Sequence, residues 1–204
     1  MRKKRGGAVK QIIIFLCALC VASCQSIPGE ENAEKFRANT YLPILEKFTD
    51  NTSQYNGFHN QFEVHATLLN SKVIKTQVDL LGQYFQWDKV KQNDRLQSED
   101  KKLSENTTVF ISFFSPDTEL SELTSKKTPI NFYLESSGRR YDGKVVDAKH
   151  AGVELQKLYP YHNRWSKGYH LEFAIPATTV EKTPSTLTLT GPLGAKTISF
   201  SPNL

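Results

Sequence analysis

Hydrophobic positions change period several times along the chain. Residues 12–22 form an unbroken apolar run of 11 side chains, behind cations at Arg2, Lys3, Lys4, Arg5 and Lys10. Over residues 31–50, Ala33, Phe36, Leu42, Ile44, Leu45 and Phe48 recur at helical spacing. Pro43 lacks an N–H and would break one continuous helix. The spacing therefore predicts two pieces, the second capped by Thr40 with Pro43 in its first turn. Residues 51–57 are polar and read as a turn. Phe62, Val64, Ala66 and Leu68 then alternate with polar residues, as in a half-buried strand. Ile74, Val78, Leu81 and Phe85 follow at steps of four, three and four, one face of a helix that Asn70 and Ser71 can cap. That helix can run on to about Leu103, but residues 91–102 are nearly all polar and read equally as solvated helix or loop.

From Thr107 the period is two. Residues 108–114 make a strongly apolar strand that ends at the turn signal Ser115, Pro116 and Asp117. Residues 130–135 and 139–146 flank Ser136, Ser137 and Gly138 and predict a hairpin. Tyr169, Leu171, Phe173 and Ile175 share one face of a strand at 168–176. A last hairpin places Leu187, Leu189, Ile198 and Phe200 inward, with Gly191 and Gly194 at its turn. Short strands separated by turn signals predict an α+β fold: an antiparallel β-sandwich with the N-terminal helices packed on it. The closing hairpin resembles the last two strands of immunoglobulin-like bacterial domains, which implies an immunoglobulin-like sandwich.

Charge sharpens the reading of the N-terminus. The chain has 204 residues, with 26 Lys and Arg against 21 Asp and Glu, and no acid precedes Glu30. The five N-terminal cations account for the whole excess, so without residues 1–23 the formal charge is zero. Basicity belongs to an address segment and not to a nucleic-acid surface. A charged fraction of 23% and a hydrophobic fraction of 38% exclude a disordered or multi-spanning chain. A cationic start and an apolar run too short to span a bilayer make a secretory signal.

The signal ends in Val21-Ala22-Ser23-Cys24. This tetrad resembles the lipobox of bacterial lipoproteins, with an aliphatic residue, two small residues and then Cys. The resemblance implies diacylglycerol transfer to the Cys24 thiol, cleavage before Cys24 and acylation of the new amine. Cys17 and Cys20 follow Leu16 and Leu19, bulky residues where the family has a small one. In lipoproteins of the enteric type, Asp after the acylated Cys favours the inner membrane. Gln25 in that place implies the outer membrane. The expected organisation is a signal peptide at 1–23, a tether at 24–32 and a single domain at 33–204. That product keeps one cysteine, so no internal disulfide is expected. Acyl chains on Cys24 are the expected contact with the membrane. The order of elements is also similar to that of uncharacterised proteobacterial lipoproteins, a likeness that implies no activity.

Chemistry is sparse. There is no Gly-rich phosphate loop, no Gly-x-Ser-x-Gly elbow and no His-Glu-x-x-His helix. His59, His65, His150, His162 and His170 have no compact metal-ligand spacing, so neither a metal nor another cofactor is expected. His65 and His170 fall on polar strand faces beside Glu63 and Glu172, and read as solvated pairs. Asp142, Asp147, Glu154 and Glu172 lie in the strand-rich half without a catalytic spacing. The densest stretch is 159–169, where Tyr159, Tyr161, Trp165 and Tyr169 accompany Arg164. It reads as cover for one end of the sandwich, or as a recognition loop for sugars, peptides or a partner. The sequence thus points to a non-enzymatic, lipid-anchored binding, assembly or structural module of the cell envelope. Its expected partner is an envelope protein, and nucleic acid is excluded. The alternative is a carrier that holds an apolar ligand between helices and sheet, with Ile74, Val78, Leu81 and Phe85 lining a cavity.

Overall fold

The computed structural model describes residues 28–202. The expected signal peptide, Cys24 and the first part of the expected tether lie outside the described residues. Helix α1 (Pro28–Phe36) passes through a π-helical turn (Arg37–Tyr41) into α2 (Leu42–Lys47). The stretch expected as a tether up to Asn32 is therefore helical from Pro28 on. Thr40 caps nothing, because the wider π turn carries the helix past Pro43, with the Leu42 N–H donating to the Arg37 carbonyl. Strand β1 (Thr49–Asn56) pairs with β2 (His59–Leu68) around Gly57, whose φ of 58° opens the turn. The polar stretch read as a turn is thus an edge strand, its alternation hidden because neither face is fully buried.

The helical segment after β2 divides into α3 (Ser71–Tyr84) and α4 (Lys89–Glu105), separated near Gln86 at φ 49°. Asn70 caps the first through its side chain, which accepts from the Val73 N–H at 2.9 Å. Asp88 caps the second from Lys91 at 2.7 Å. Next come β3 (Thr107–Phe114), the short α5 (Thr118–Ser121), β4 (Asn131–Ser136), β5 (Arg139–Asp142) and β6 (Lys144–Asp147). They are followed by α6 (Gly152–Leu158), β7 (Lys167–Phe173), α7 (Ala177–Val180), β8 (Ser185–Gly191) and β9 (Gly194–Phe200).

Two antiparallel sheets result, with strand orders β1-β2-β3-β7-β6 and β5-β4-β8-β9. The stretch expected as one strand at 139–146 changes sheet at Gly143. A Cβ there would lie 2.8 Å from the Phe173 ring and 3.2 Å from the Phe132 carbonyl oxygen, so the corner requires glycine. Strand alternation sends Val64, Ala66 and Leu68, Val109, Ile111 and Phe113, and Tyr169, Leu171 and Phe173 to one face of the larger sheet. These join Phe132, Leu134, Leu187, Leu189, Ile198 and Phe200 of the smaller sheet in one apolar core. The opposite face of the larger sheet carries Thr67, Thr108, Phe110, Ser112, His170 and Glu172, and the helices lie against it.

Candidate functional site

The helix-covered face is incompletely filled. A cleft of about 590 Å³ opens between α3, α4, α6 and the strands β3, β6 and β7. Its apolar wall is Leu69, Ile74, Val78, Leu81, Trp87 and Leu103. Three of the four residues of the predicted helix face are there. Phe85 is exposed and stacks on Trp87, ring centroids 6.0 Å apart.

The walls are braced against each other. Gln92 of α4 donates to Asp79 of α3 at 2.6 Å. The Tyr41 hydroxyl donates to the Leu158 carbonyl at 2.8 Å, and Arg37 donates to the Lys157 carbonyl at 2.7 Å, fastening α6 to the N-terminal helices. Glu34 receives Lys157 and the Tyr84 hydroxyl, which ties α3 to the same point. The Lys157 ammonium holds the Glu34 carboxyl below its ordinary range.

The rest of the lining is polar. Glu99 bridges Arg95 and Lys102 at 2.9 and 3.0 Å, and His150 meets Glu154 at 2.9 Å. His170 lies edge-on to His150, 6.4 Å between centroids. Burial, with His150 second, holds His170 down to about 4, so its ring is neutral around pH 7. At the floor are Gln77 and Tyr159, both buried. The Gln77 Oε1 and the Tyr159 hydroxyl have no hydrogen-bond partner among the described residues. Burial pushes the Tyr159 hydroxyl well up, and the neighbouring Gln77 amide offsets part of that rise.

The aromatic stretch does not act as one loop. Tyr159 is fully buried, stacked on Phe110 at 3.6 Å. Tyr169 belongs to the core between the sheets, its hydroxyl donating to the Ser121 carbonyl at 2.7 Å. Tyr161 stacks on His65 and its hydroxyl bonds Thr67. Only Trp165, 68% exposed, and Arg164, stacked over its ring at 4.4 Å, face solvent. A recognition surface comprising all five residues is corrected accordingly: chain direction alternates inward and outward across this stretch, and three of the rings are needed for packing.

The titratable residues scatter similarly. His65 binds Glu63 at 2.8 Å, as its strand position suggested. His170 is covered by helices instead of being solvated. Asp147, Glu154 and Glu172 converge on the cleft, while Asp142 faces Arg140 elsewhere. Ser112 Oγ and His162 Nδ1 are 2.8 Å apart, but both are buried and neither lines the cleft. Burial lowers the His162 ring from its ordinary value, and its Nδ1 shares a hydrogen bond with the Ser112 hydroxyl as a structural link. Among the described residues no three His, Cys, Asp or Glu side chains are placed to hold a metal ion, and no helix is long and apolar enough to cross a membrane.

Gln77, Arg95 and Glu99 were not singled out by sequence. A polar residue in line with apolar ones, as Gln77 is with Val73 and Leu80 in α3, was the available signal. The chain matches no family model, no curated protein and no solved structure.

Proposed function

We propose that this is an exported, lipid-anchored protein of the bacterial envelope, non-enzymatic, that binds a small amphipathic ligand in the cleft. The cleft of about 590 Å³ carries the reading, since it has the size of small-molecule sites and sets apolar side chains of α3 and α4 beside polar and charged ones. Anchoring is through acyl chains on Cys24, with Gln25 favouring the outer membrane; no cofactor or nucleic acid is involved. The domain is an immunoglobulin-like sandwich. Lettered from β2, the two sheets run A-B-E-D and C′-C-F-G, which supports that topology, with β1 as an addition. The cleft walls are then insertions: α3 and α4 between strands A and B, α6 between D and E.

A second reading rests on the exposed Arg164 and Trp165, which offer a docking point for an envelope protein.

Native and intact mass spectrometry of the full chain released from its own envelope tests the proposal. The expected result is a polypeptide beginning at an acylated Cys24 and carrying a noncovalent small molecule. A chain that begins at Met1 with a free thiol overturns the anchoring. Absence of any bound molecule, together with no added amphiphile perturbing Trp87, overturns the binding role.

A further inference from the structure

Resting on the anchoring reading, the position of α1 decides which surface of the domain meets lipid. Cys24 precedes Pro28, the first residue of α1, by four positions, and four residues span at most about 14 Å. Acyl chains on Cys24 therefore hold the start of α1 close to the bilayer surface. The first turn of α1 lies against the corner between α3 and α4: a Cβ on Gly29 would be 3.3 Å from the Gln86 amide nitrogen. Six large apolar side chains are exposed among the described residues, and two of them belong to this corner, Phe85 and Val90. Gln86 turns the chain at φ 49°, and the Phe85 ring stacks on Trp87. Lys91 Nζ stands 5.2 Å over the Trp87 ring, and Lys89 is exposed. Aromatic rings suit a bilayer interface, and so do lysines whose stems lie along apolar surface while the ammonium stays in water.

Acids share the corner. Asp88 caps α4, Glu31 pairs with Lys35 at 2.7 Å, and Glu30 is exposed. Lys89 and Lys91 are offset by Glu30 and Asp88, so attraction rests on apolar burial and asks for no anionic lipid. A second exposed pair, Tyr55 and Phe58, stands at the β1–β2 turn. Asn60 and Gln61 beside that turn share a hollow with Pro116, Leu120 and Leu193, none of which belongs to the N-terminal helices. We infer that the α3–α4 corner, through Phe85, Trp87 and Val90, rests in the interfacial layer of a zwitterionic lipid surface and so orients the domain on its anchor. A corner this small would not hold a membrane by itself; the short link to Cys24 makes it effective by local concentration.

Trp87 also lines the cleft, so the test needs a reporter that does not. A Trp87→Phe, Trp165→Phe background removes both tryptophans of the chain. Phe85→Trp then places one reporter at the corner, keeping the stacked pair with its rings exchanged, and Phe58→Trp places one at the rival turn. The acylated chain is reconstituted in phosphatidylcholine vesicles with or without bromine on the lipid tails. Bromine is expected to quench the corner reporter about threefold more than the turn reporter, with no gain when phosphatidylglycerol is added. Val90→Glu, at an exposed position, is expected to remove most of that difference at an unchanged unfolding curve. In a chain that floats with the vesicles, equal quenching at both places, stronger quenching at the turn, none at either, or quenching that requires phosphatidylglycerol overturns the inference and leaves the anchor standing. Corner emission that shifts to the blue as protein density rises, without quenching by bromine, assigns the corner to a second copy and overturns it as well. A chain that does not float with the vesicles overturns the anchoring reading, and this inference with it.

Discussion

The two faces of the five-stranded sheet are built from the same strands and packed to different ends. Toward the smaller sheet, β2, β3 and β7 present side chains such as Val64, Ile111 and Leu171, and the space is filled. Toward the helices, the alternate residues include Thr108, His170 and Glu172, and a cleft remains. A sheet can pack a second sheet closely over its whole face, because both surfaces are regular. Helices held by connections of unequal length cover a sheet in patches, and the gaps between them admit polar side chains and solvent. The filled face supplies stability, and the patched one is where binding can be accommodated.

Size-matched truncations give the largest test of this contrast. Leu171→Ala, on the filled face, should lose about 4–5 kcal/mol, whereas Leu81→Ala, on the cleft wall, should lose about 2–3 kcal/mol. The surroundings of Leu171 cannot collapse further, while Leu81 already borders open space. Urea unfolding measures both, and equal losses would remove the distinction between the faces.

Acid should act on one face before the other. The buried His170 ring meets His150, with Glu99 and Lys102 nearby, and stays neutral down to about pH 4. An unfolded chain protonates the same ring near 6.5. Between those values the unfolded state binds more protons, so stability falls as pH drops from about 6.5 to 4 and this group adds no further loss below. His162, lowered by burial, contributes in the same direction. His170→Gln should flatten the fall, and hydrogen exchange should show α3 and α6 loosening before β8 and β9. An unchanged pH profile in the variant would show that His170 is not the group responsible.

The smallest effect is expected at the rim of the aromatic stretch. Trp165→Ala should alter stability by no more than about 0.5 kcal/mol, because its ring is mostly in water. A large fall in melting temperature would place the ring in a packing role. Lost partner binding at unchanged stability would favour the docking reading.

Much of the strand pattern was legible in residue order. The apolar alternation around β2, β3, β7 and the closing hairpin lies where strands form, since one buried face imposes a period of two. So did the helix face at Ile74, Val78 and Leu81, and the positive-φ turn at Ser137 and Gly138, whose φ values are 52° and 73°. Strand β1 was missed because an edge strand buries too little to show a pattern. The change of sheet at Gly143 was missed because a corner needs only one small residue within an otherwise continuous strand. Of the site, the sequence marked one apolar wall and the unusual density of rings at 159–169.

What residue order determined alone is local: which stretches can repeat with a period of two or of 3.6, where turns are permitted, and which segments carry charge. What the tertiary structure decided is which of those surfaces meet. Gln77 and Tyr159 are 82 positions apart in the chain and both line one cleft, Gln77 from α3 and Tyr159 from just after α6, stacked on Phe110. Burial and the absence of a partner are properties of that meeting, and no periodicity within either segment encodes them.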